Sequence, residues 1–189
     1  MKDPEADESK RSARFSLENC SVENLIALLK TYAKMYVAMD AFWYLSIMDE
    51  FGNDKALEHD LRAWDRMYKR ELDWLKGALG IRQRDVPSLL RILSATPWFI
   101  HRKYDIDLRG NNYGVLTIAE CPTLLALEEE GAGRERGICE VFHVAYFSKC
   151  ARYFNPDMET KALKLPPRVS PNDICCRWEF KIPKAQTGQ

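Results

Sequence analysis

The sequence predicts an α+β protein in which an N-terminal helical hairpin and a short third helix pack on a four-stranded antiparallel sheet. Three patterns predict this class. Apolar residues recur at helical spacing up to Leu93, they alternate at strand spacing from Trp98, and a second helical stretch separates this alternation from another one. The second half of the chain is therefore expected to follow the order ββααββ.

The domain boundaries follow from composition. Residues 1–18 are rich in Lys, Asp, Glu, Ser and Arg, which predicts a disordered leader. The rest of the chain, residues 19–185, is expected to form a single α+β domain, because 46% hydrophobic content over 189 residues suffices for one buried core.

Charge and hydropathy argue against several classes of partner. The formal net charge is zero, so no electrostatic attraction to nucleic acid is expected. The leader lacks the apolar core of a signal peptide, and the apolar run 35–48 is shorter than a bilayer span and contains Asp40. We therefore expect a cytoplasmic protein that binds neither nucleic acid nor membrane.

The first half of the chain predicts two long helices. Apolar residues at helical spacing between positions 25 and 47 indicate a helix that begins after the capping residue Ser21 and ends at Gly52. A second helical pattern runs from Asn53 to Gly80. Because the connection is short, we expect the two helices to pack antiparallel.

Aromatic side chains on these two helices occupy more than one narrow stripe. This distribution leaves an apolar face uncovered in a monomer, so we predict a homo-oligomer, most simply a homodimer. The aromatic residues concerned are Tyr32, Tyr36, Phe42, Trp43, Tyr44, Trp64, Tyr68 and Trp74.

A short third helix and a β-hairpin are expected next. Pro87 indicates the start of the helix, which ends before Pro97. Residues 98–108 and 113–119 alternate between large and small or polar side chains around a turn-forming Arg-Gly-Asn-Asn segment. We predict that the first strand starts at residue 98, with His101 on its exposed side.

The last third is expected to contain two helices and two strands. Pro122 indicates a short helix through Leu127, and apolar spacing predicts a longer one over residues 134–153. Residues 158–165 and 174–182 are expected to form strands on either side of a proline-rich turn.

One group of side chains in this region suggests chemistry. On the longer helix, Cys139 and His143 lie one turn apart on a face that must cover the sheet. Cys176 lies on the apolar side of the last strand, and Cys121 lies at a strand-to-helix junction. We expect these four side chains to converge at one end of the sheet, with Asp40 close enough to touch the same pocket.

Three interpretations of this cluster remain open. Cys139 can act as a nucleophile activated by His143, the thiols and the imidazole can bind a metal ion, or the thiols can be buried as small apolar groups. The sequence contains no familiar zinc-binding spacing and no phosphate-binding glycine loop. We therefore assign no metal ligand and leave the cofactor unknown.

Acidic residues on the two long helices also need interpretation. Asp40 lies on the same helical stripe as Tyr36 and Trp43, where a buried carboxylate needs a partner or a shifted pKa. It either lines a pocket or forms an ion pair or a hydrogen bond to a tyrosine. Residues 58–60 are expected to form a solvated helix face.

Several segments resemble a known family. Residues 121–122, 137–140 and 175–180 resemble the L-2-amino-thiazoline-4-carboxylic acid hydrolase family, most closely its uncharacterised microbial members. The resemblance extends to residues 39–43 and 165–168 and covers most of the chain past the leader. It implies a cytoplasmic α+β domain and a cysteine-dependent hydrolase that opens a cyclic C–N or C–S bond of a small molecule.

For such an enzyme we predict two sets of residues. Cys139 is our first choice as nucleophile, and the predicted catalytic residues are Cys139, His143 and Cys121. The side chains predicted to contact the substrate are Asp40, Trp43, Cys176 and Trp178.

The order of elements also resembles the small-molecule-sensing domains related to bacterial 4-vinyl reductases. This resemblance implies the alternative function, which is ligand or metal sensing without turnover. An enzyme needs Cys139 and His143 for turnover but not for binding. A sensor binds its ligand tightly and changes shape or assembly without forming product.

Overall fold

A computed structural model of the protein describes residues 15–183. It confirms the α+β class, the N-terminal helical hairpin with its short third helix, and the order ββααββ. After one turn of 3₁₀ helix at Leu17–Asn19, the elements are α1 (Val22–Phe51), α2 (Asn53–Ala78), α3 (Val86–Ser94), β1 (Lys103–Leu108), β2 (Tyr113–Glu120), α4 (Pro122–Glu130), a π-helical segment (Arg136–Phe142), α5 (His143–Phe154), β3 (Glu159–Lys164) and β4 (Cys176–Lys181). Most of the predicted leader, residues 1–14, and the end of the predicted domain, residues 184–185, lie outside the described residues.

Local signals define the hairpin of α1 and α2. The Ser21 hydroxyl accepts a hydrogen bond from the Asn24 amide at 3.2 Å and so caps α1. Gly52 separates the helices with a φ of 83°, which a side chain would disfavour. The Tyr44 hydroxyl then donates to Asn53 Oδ1 at 2.8 Å and ties the two helices together next to the turn.

The sheet has the strand order β1-β2-β4-β3, and every neighbouring pair is antiparallel. The central strands β2 and β4 carry the buried face, where Leu116 lies opposite Trp178. Trp178 and Phe180 pack against Phe147 of α5, with ring centroids 4.7 and 5.8 Å apart. The core therefore lies between the helices and one face of the two central strands.

The predicted start of the first strand is wrong. Residues 98–102 form successive turns, in which the Phe99 amide bonds to the Thr96 carbonyl and the Arg102 amide bonds to the Phe99 carbonyl, both at 3.0 Å. Phe99 is completely buried, whereas Trp98 is only partly buried. This pattern of burial matches a turn and does not show the alternation of a strand. His101 is exposed as expected, but it lies on this turn and its Nε2 contacts the Lys30 carbonyl at 3.1 Å.

The aromatic residues that predicted an uncovered face divide into two groups. Tyr44 and Trp64 are buried, and Tyr36 and Tyr68 pack partly against the core, so these four do not contribute to an uncovered face. The remaining aromatic residues of that set, Tyr32, Phe42, Trp43 and Trp74, are exposed. No helix within residues 15–183 is both long and apolar enough to cross a membrane.

Candidate functional site

A cavity of about 800 Å³ lies among α1, α2, α4, the 98–102 turn and the helix that begins with the π-helical segment. Its volume falls in the range of small-molecule sites. Most of its walls are aromatic or aliphatic side chains, and a few charged groups interrupt them. The cavity is large enough to enclose a drug-sized molecule.

The aromatic side chains of the cavity hold one another in edge-to-face contacts. Trp64 of α2 contacts Tyr36 of α1, Phe142 and Tyr146, with ring centroids 6.3, 5.7 and 5.5 Å apart. Trp98 continues this wall through Tyr146, at 5.4 Å. Such contacts fix the rings relative to one another, so the cavity has preformed walls.

Two carboxyl groups, Asp40 from α1 and Asp60 from α2, line the same cavity. Asp60 is only 5% exposed, and its Oδ1 has no hydrogen-bond partner in the part of the chain that the structure describes. Burial, reinforced by the charge of Asp40, raises the pKa of Asp60 to about 7, and Trp64 opposes this shift. Burial also raises the pKa of Asp40.

The structure decides between the alternatives for Asp40. Within residues 15–183, Asp40 takes part in no ion pair and in no hydrogen bond to a tyrosine, so those alternatives are wrong. It lines the large cavity. It does not line the cysteine pocket, so the expectation that it touches that pocket is also wrong.

Three cationic side chains, Lys34, Arg102 and Arg134, line the cavity. Arg134 pairs with Glu130 at 2.6 Å. The Arg102 guanidinium lies over the Trp98 ring at 4.6 Å from its centroid, and its Nε lacks a hydrogen-bond partner among the described residues. Neither arginine forms an ion pair with Asp40 or Asp60 in residues 15–183.

The four side chains expected to converge do so around a second, very small cavity. Cys121, Cys139, His143 and Cys176 all line this space of about 20 Å³, which we call the cysteine pocket. Its volume is close to the minimum that a single water molecule needs. His143 and Arg102 line both cavities and so form their common wall.

Cys175 also lines the cysteine pocket, although alternation along the predicted strand 174–182 puts it on the opposite side from Cys176. It precedes the first residue of β4, and its amide bonds to the Ile118 carbonyl at 2.9 Å. Its Sγ lies 3.3 Å from the Ala119 carbonyl, and the residue is buried. Strand alternation does not apply to Cys175, because it lies outside the strand.

His143 is held as a neutral imidazole. It is the first residue after the π-helical segment, a rare conformation that is frequent at functional sites. Its Nδ1 donates to the Ile138 carbonyl at 2.9 Å, because a carbonyl can only accept, and Nε2 therefore keeps the lone pair. Burial, together with the nearby Arg102 charge, lowers the pKa of His143 to about 3.

Cys139 is held as a neutral thiol. Burial raises its pKa to about 12, and the neighbouring Cys121 and Cys176 act in the same direction. With His143 also neutral, the two residues do not form a thiolate–imidazolium pair at neutral pH. Within residues 15–183, no three His, Cys, Asp or Glu side chains have an arrangement that could hold a metal ion.

The two tryptophans predicted to contact a substrate lie in different surroundings. Trp43 is 38% exposed, contacts His59 at 6.4 Å between ring centroids and lines neither of the two cavities, so the structure does not bring it together with the other predicted site residues. Trp178 lines the cysteine pocket and is completely buried. Its contact with a substrate stays a prediction.

Sequence reasoning missed Asp60 and Arg102. Asp60 was expected on a solvated face, but it lies one turn from both Ala56 and Trp64, which are buried. That helical spacing was the available signal. Arg102 was counted as part of a strand, and no local pattern indicated that a turn brings it to the cavity.

Comparisons with known proteins assign the chain to a family. No curated protein and no solved structure matches it. A family of unknown function, DUF6125, matches residues 18–182, which include α1 and all other elements that line the two cavities. Because the match covers most of the chain, this protein belongs to the DUF6125 family of unknown function.

Proposed function

We propose that this protein binds a small molecule in the large cavity and that binding is its function. The observation that carries this proposal is a cavity of about 800 Å³ whose walls are preformed aromatic rings. Buried, unpartnered polar atoms in an apolar cavity are typical of ligand sites, because they fix the ligand's orientation. Asp60 Oδ1 and Arg102 Nε are two such atoms.

The chemistry next to the cavity also favours binding without turnover. The two groups best placed for catalysis, Cys139 and His143, are both neutral, with the pKa of the thiol raised to about 12 and that of the imidazole lowered to about 3. A general acid or base works best with a pKa near the operating pH. The proposal therefore corresponds to the non-catalytic, sensor-like alternative.

Filling the cavity is expected to abolish binding. The change Ala38→Trp on α1 adds an indole to the cavity lining, so the affinity for the neutral fluorescent probe N-phenyl-1-naphthylamine should fall by about tenfold or more. The measurement is a fluorescence titration of the purified full chain. Ala27→Trp, on an exposed part of the same helix outside the cavity lining, is the matched control and should bind like the unchanged protein.

Two results of this titration contradict the proposal. One is that the unchanged protein does not bind the probe at all. The other is that Ala38→Trp and Ala27→Trp bind it equally well while both retain the helical circular dichroism of the unchanged protein.

A cysteine-dependent hydrolase is the second candidate function. The observation that favours it is the convergence of Cys121, Cys139, His143 and Cys176 beside the large cavity, with His143 in the wall that both cavities share. The resemblance to the L-2-amino-thiazoline-4-carboxylic acid hydrolase family points to a cyclic C–N or C–S bond as the target. If the protein is this enzyme, it converts such a substrate and Cys139→Ser loses turnover while keeping its fold.

We further propose a homodimer formed through α1. Large apolar side chains are exposed along the whole helix, namely Val22, Ile26, Leu29, Tyr32, Met35, Met39, Phe42, Trp43 and Phe51. A helix that is apolar on most of its surface is usually covered. Together these nine side chains give α1 an extended apolar surface of the kind that obligate dimers bury. A second copy of α1 supplies the same surface.

Light scattering is expected to give twice the chain mass of 21.9 kDa at micromolar concentration. Met39→Lys, at a 70% exposed position of α1, should shift the protein to monomer because it places a charge in the interface. Val169→Lys, at an exposed apolar position outside α1, is the matched control and should remain dimeric. A monomer mass for the unchanged protein would refute the dimer.

We also propose a cytoplasmic location. All six cysteines are free thiols, and several of them lie close together around the cysteine pocket without forming a disulfide. Free thiols persist in reducing compartments. Fractionation of cells that produce the tagged protein tests this location, and recovery outside the cytosol would contradict it.

A further inference from the structure

Asp60 is a buried carboxyl group with one oxygen that has no hydrogen-bond partner among the described residues. It lies on the inner face of α2, between the buried residues Ala56 and Trp64. Its Oδ1 is shielded from solvent, lacks a hydrogen bond within residues 15–183 and belongs to the cavity lining. Leaving such an oxygen unpartnered in a buried position is destabilising. A ligand that donates to it would remove this destabilisation.

Asp40 adds a second carboxyl to the same part of the cavity. The antiparallel hairpin brings Asp40 of α1 close enough to Asp60 for its charge to raise the pKa of Asp60. Of the cationic side chains that line the cavity, Arg134 pairs with Glu130, Arg102 stacks on Trp98, and Lys34 forms no ion pair among the described residues. The two carboxyl groups therefore face the cavity with no cation from residues 15–183 bound to either.

Aromatic rings surround these carboxyl groups. Tyr36, Tyr44 and Trp64 line the same cavity, and Trp64 interacts with both Asp40 and Asp60. The face of an aromatic ring attracts a cation, most strongly where water is excluded. Carboxylates combined with aromatic faces are suited to a positively charged nitrogen that carries an apolar body.

On these grounds, and resting on the proposed ligand-binding function, we propose that the cavity binds an apolar organic amine whose protonated nitrogen lies between Asp40 and Asp60 against the rings of Tyr36, Tyr44 and Trp64. The ammonium group donates to Asp60 Oδ1 and supplies the missing positive charge. The apolar body of the amine occupies the remaining aromatic part of the cavity. An anionic ligand bound at Arg102 is the competing outcome, which the test below separates from this one.

Three naphthalene compounds that differ in one group test the charge preference. They are 1-naphthylmethylamine, which is a cation at neutral pH, the neutral 1-naphthylmethanol and the anionic 1-naphthoate. Calorimetric titration of the full chain at pH 8 is expected to show that the amine binds about tenfold or more tightly than the alcohol. The carboxylate should bind more weakly than both.

Substitution of the carboxyl groups assigns this preference to the site. Asp60→Asn should reduce the amine-to-alcohol preference to within about twofold while the affinity for the alcohol stays the same, because only the charge is removed. Asp40→Asn is the second variant and should weaken the amine in the same way. Glu50→Gln removes a charge from an exposed position of α1 outside the cavity lining and should leave the preference unchanged.

The outcomes separate this inference from the proposed function. If the alcohol or the carboxylate binds as tightly as the amine, the cavity binds small molecules but the amine assignment is wrong. If Asp60→Asn and Asp40→Asn both keep the full preference for the amine, the assignment to these carboxyl groups is wrong. If none of the three compounds and no neutral probe binds, the proposed function is refuted as well.

Discussion

Asp60→Asn is expected to stabilise the protein at pH 8 by up to about 4 kcal/mol relative to the unchanged chain. The carboxyl pKa is about 7 in the folded protein and 3.8 in the reference state. Between these values the folded state binds a proton that the unfolded state does not, so the free energy of unfolding falls as the pH rises from about 4 to 7. Asparagine removes this loss because it does not ionise.

His143 has the opposite effect on stability. Its pKa is lowered from 6.5 to about 3 in the folded protein, so below pH 6.5 the unfolded state takes up a proton that the folded state does not. The free energy of unfolding therefore falls as the pH decreases from 6.5 towards 3. In the unchanged chain, the contributions of His143 and Asp60 to the pH dependence of the unfolding free energy oppose each other between about pH 4 and 6.5. Asp60→Asn should remove the Asp60 contribution and leave the His143 contribution in place.

Urea unfolding followed by tryptophan fluorescence at several pH values between 4 and 8 measures both effects. The difference in unfolding free energy between Asp60→Asn and the unchanged chain should be small at pH 4 and largest above pH 7. Asp40 and Glu71, whose pKa values burial also raises, and the Tyr36 and Tyr44 hydroxyl groups nearby are present in both proteins. A difference that does not change with pH would contradict the assignment of this titration to Asp60.

The same carboxyl connects stability with ligand binding. Above pH 7 the charged form of Asp60 is destabilising in the protein alone, whereas an ammonium ligand favours that form. The loss of unfolding free energy above pH 7 and the preference for an amine thus arise from the same buried carboxyl group, which has no partner among the described residues. A protein that maximised its stability would carry an uncharged residue at position 60, so a carboxyl there is better explained by binding.

The helical hairpin could be predicted from the sequence because local chemistry determines its ends. The Ser21 hydroxyl caps α1 through the Asn24 amide, and Gly52 adopts a positive φ between the helices. Both interactions involve residues within a few positions of one another. The convergence of the cysteines could also be predicted from the sequence, because a helix face that covers a sheet brings its side chains to the sheet's buried side.

The large cavity could not be predicted in this way. Its walls come from elements far apart in the chain, and the 98–102 turn that contributes Trp98 and Arg102 was predicted as strand. Phe99 of that turn is completely buried, and such tertiary packing overrides the local alternation that predicts a strand. The sequence predicts a solvated helix face for residues 58–60, although the positions one turn away from Asp60 on either side are buried and indicate the core face.

Cys139 in the folded protein is expected to react with iodoacetamide about 1,000-fold more slowly at pH 8 than the same residue in the unfolded chain. The thiolate is the reactive form, and burial raises the thiol pKa from 9.0 to about 12. The neutral His143 next to it does not favour the thiolate. The cysteine pocket, at about 20 Å³, also leaves little room for the reagent.

Mass spectrometry of the peptide that contains Cys139 measures this rate, with the chain in 8 M urea as the matched control and Cys139→Ser identifying the signal. Slow labelling in the folded protein, combined with no turnover of a cyclic C–N or C–S substrate, supports a ligand-binding protein with buried thiols. Labelling as fast as in urea would show that the thiol is accessible and that its pKa is not raised by burial. Together with turnover that Cys139→Ser abolishes, that result would replace the binding function with the cysteine-dependent hydrolase.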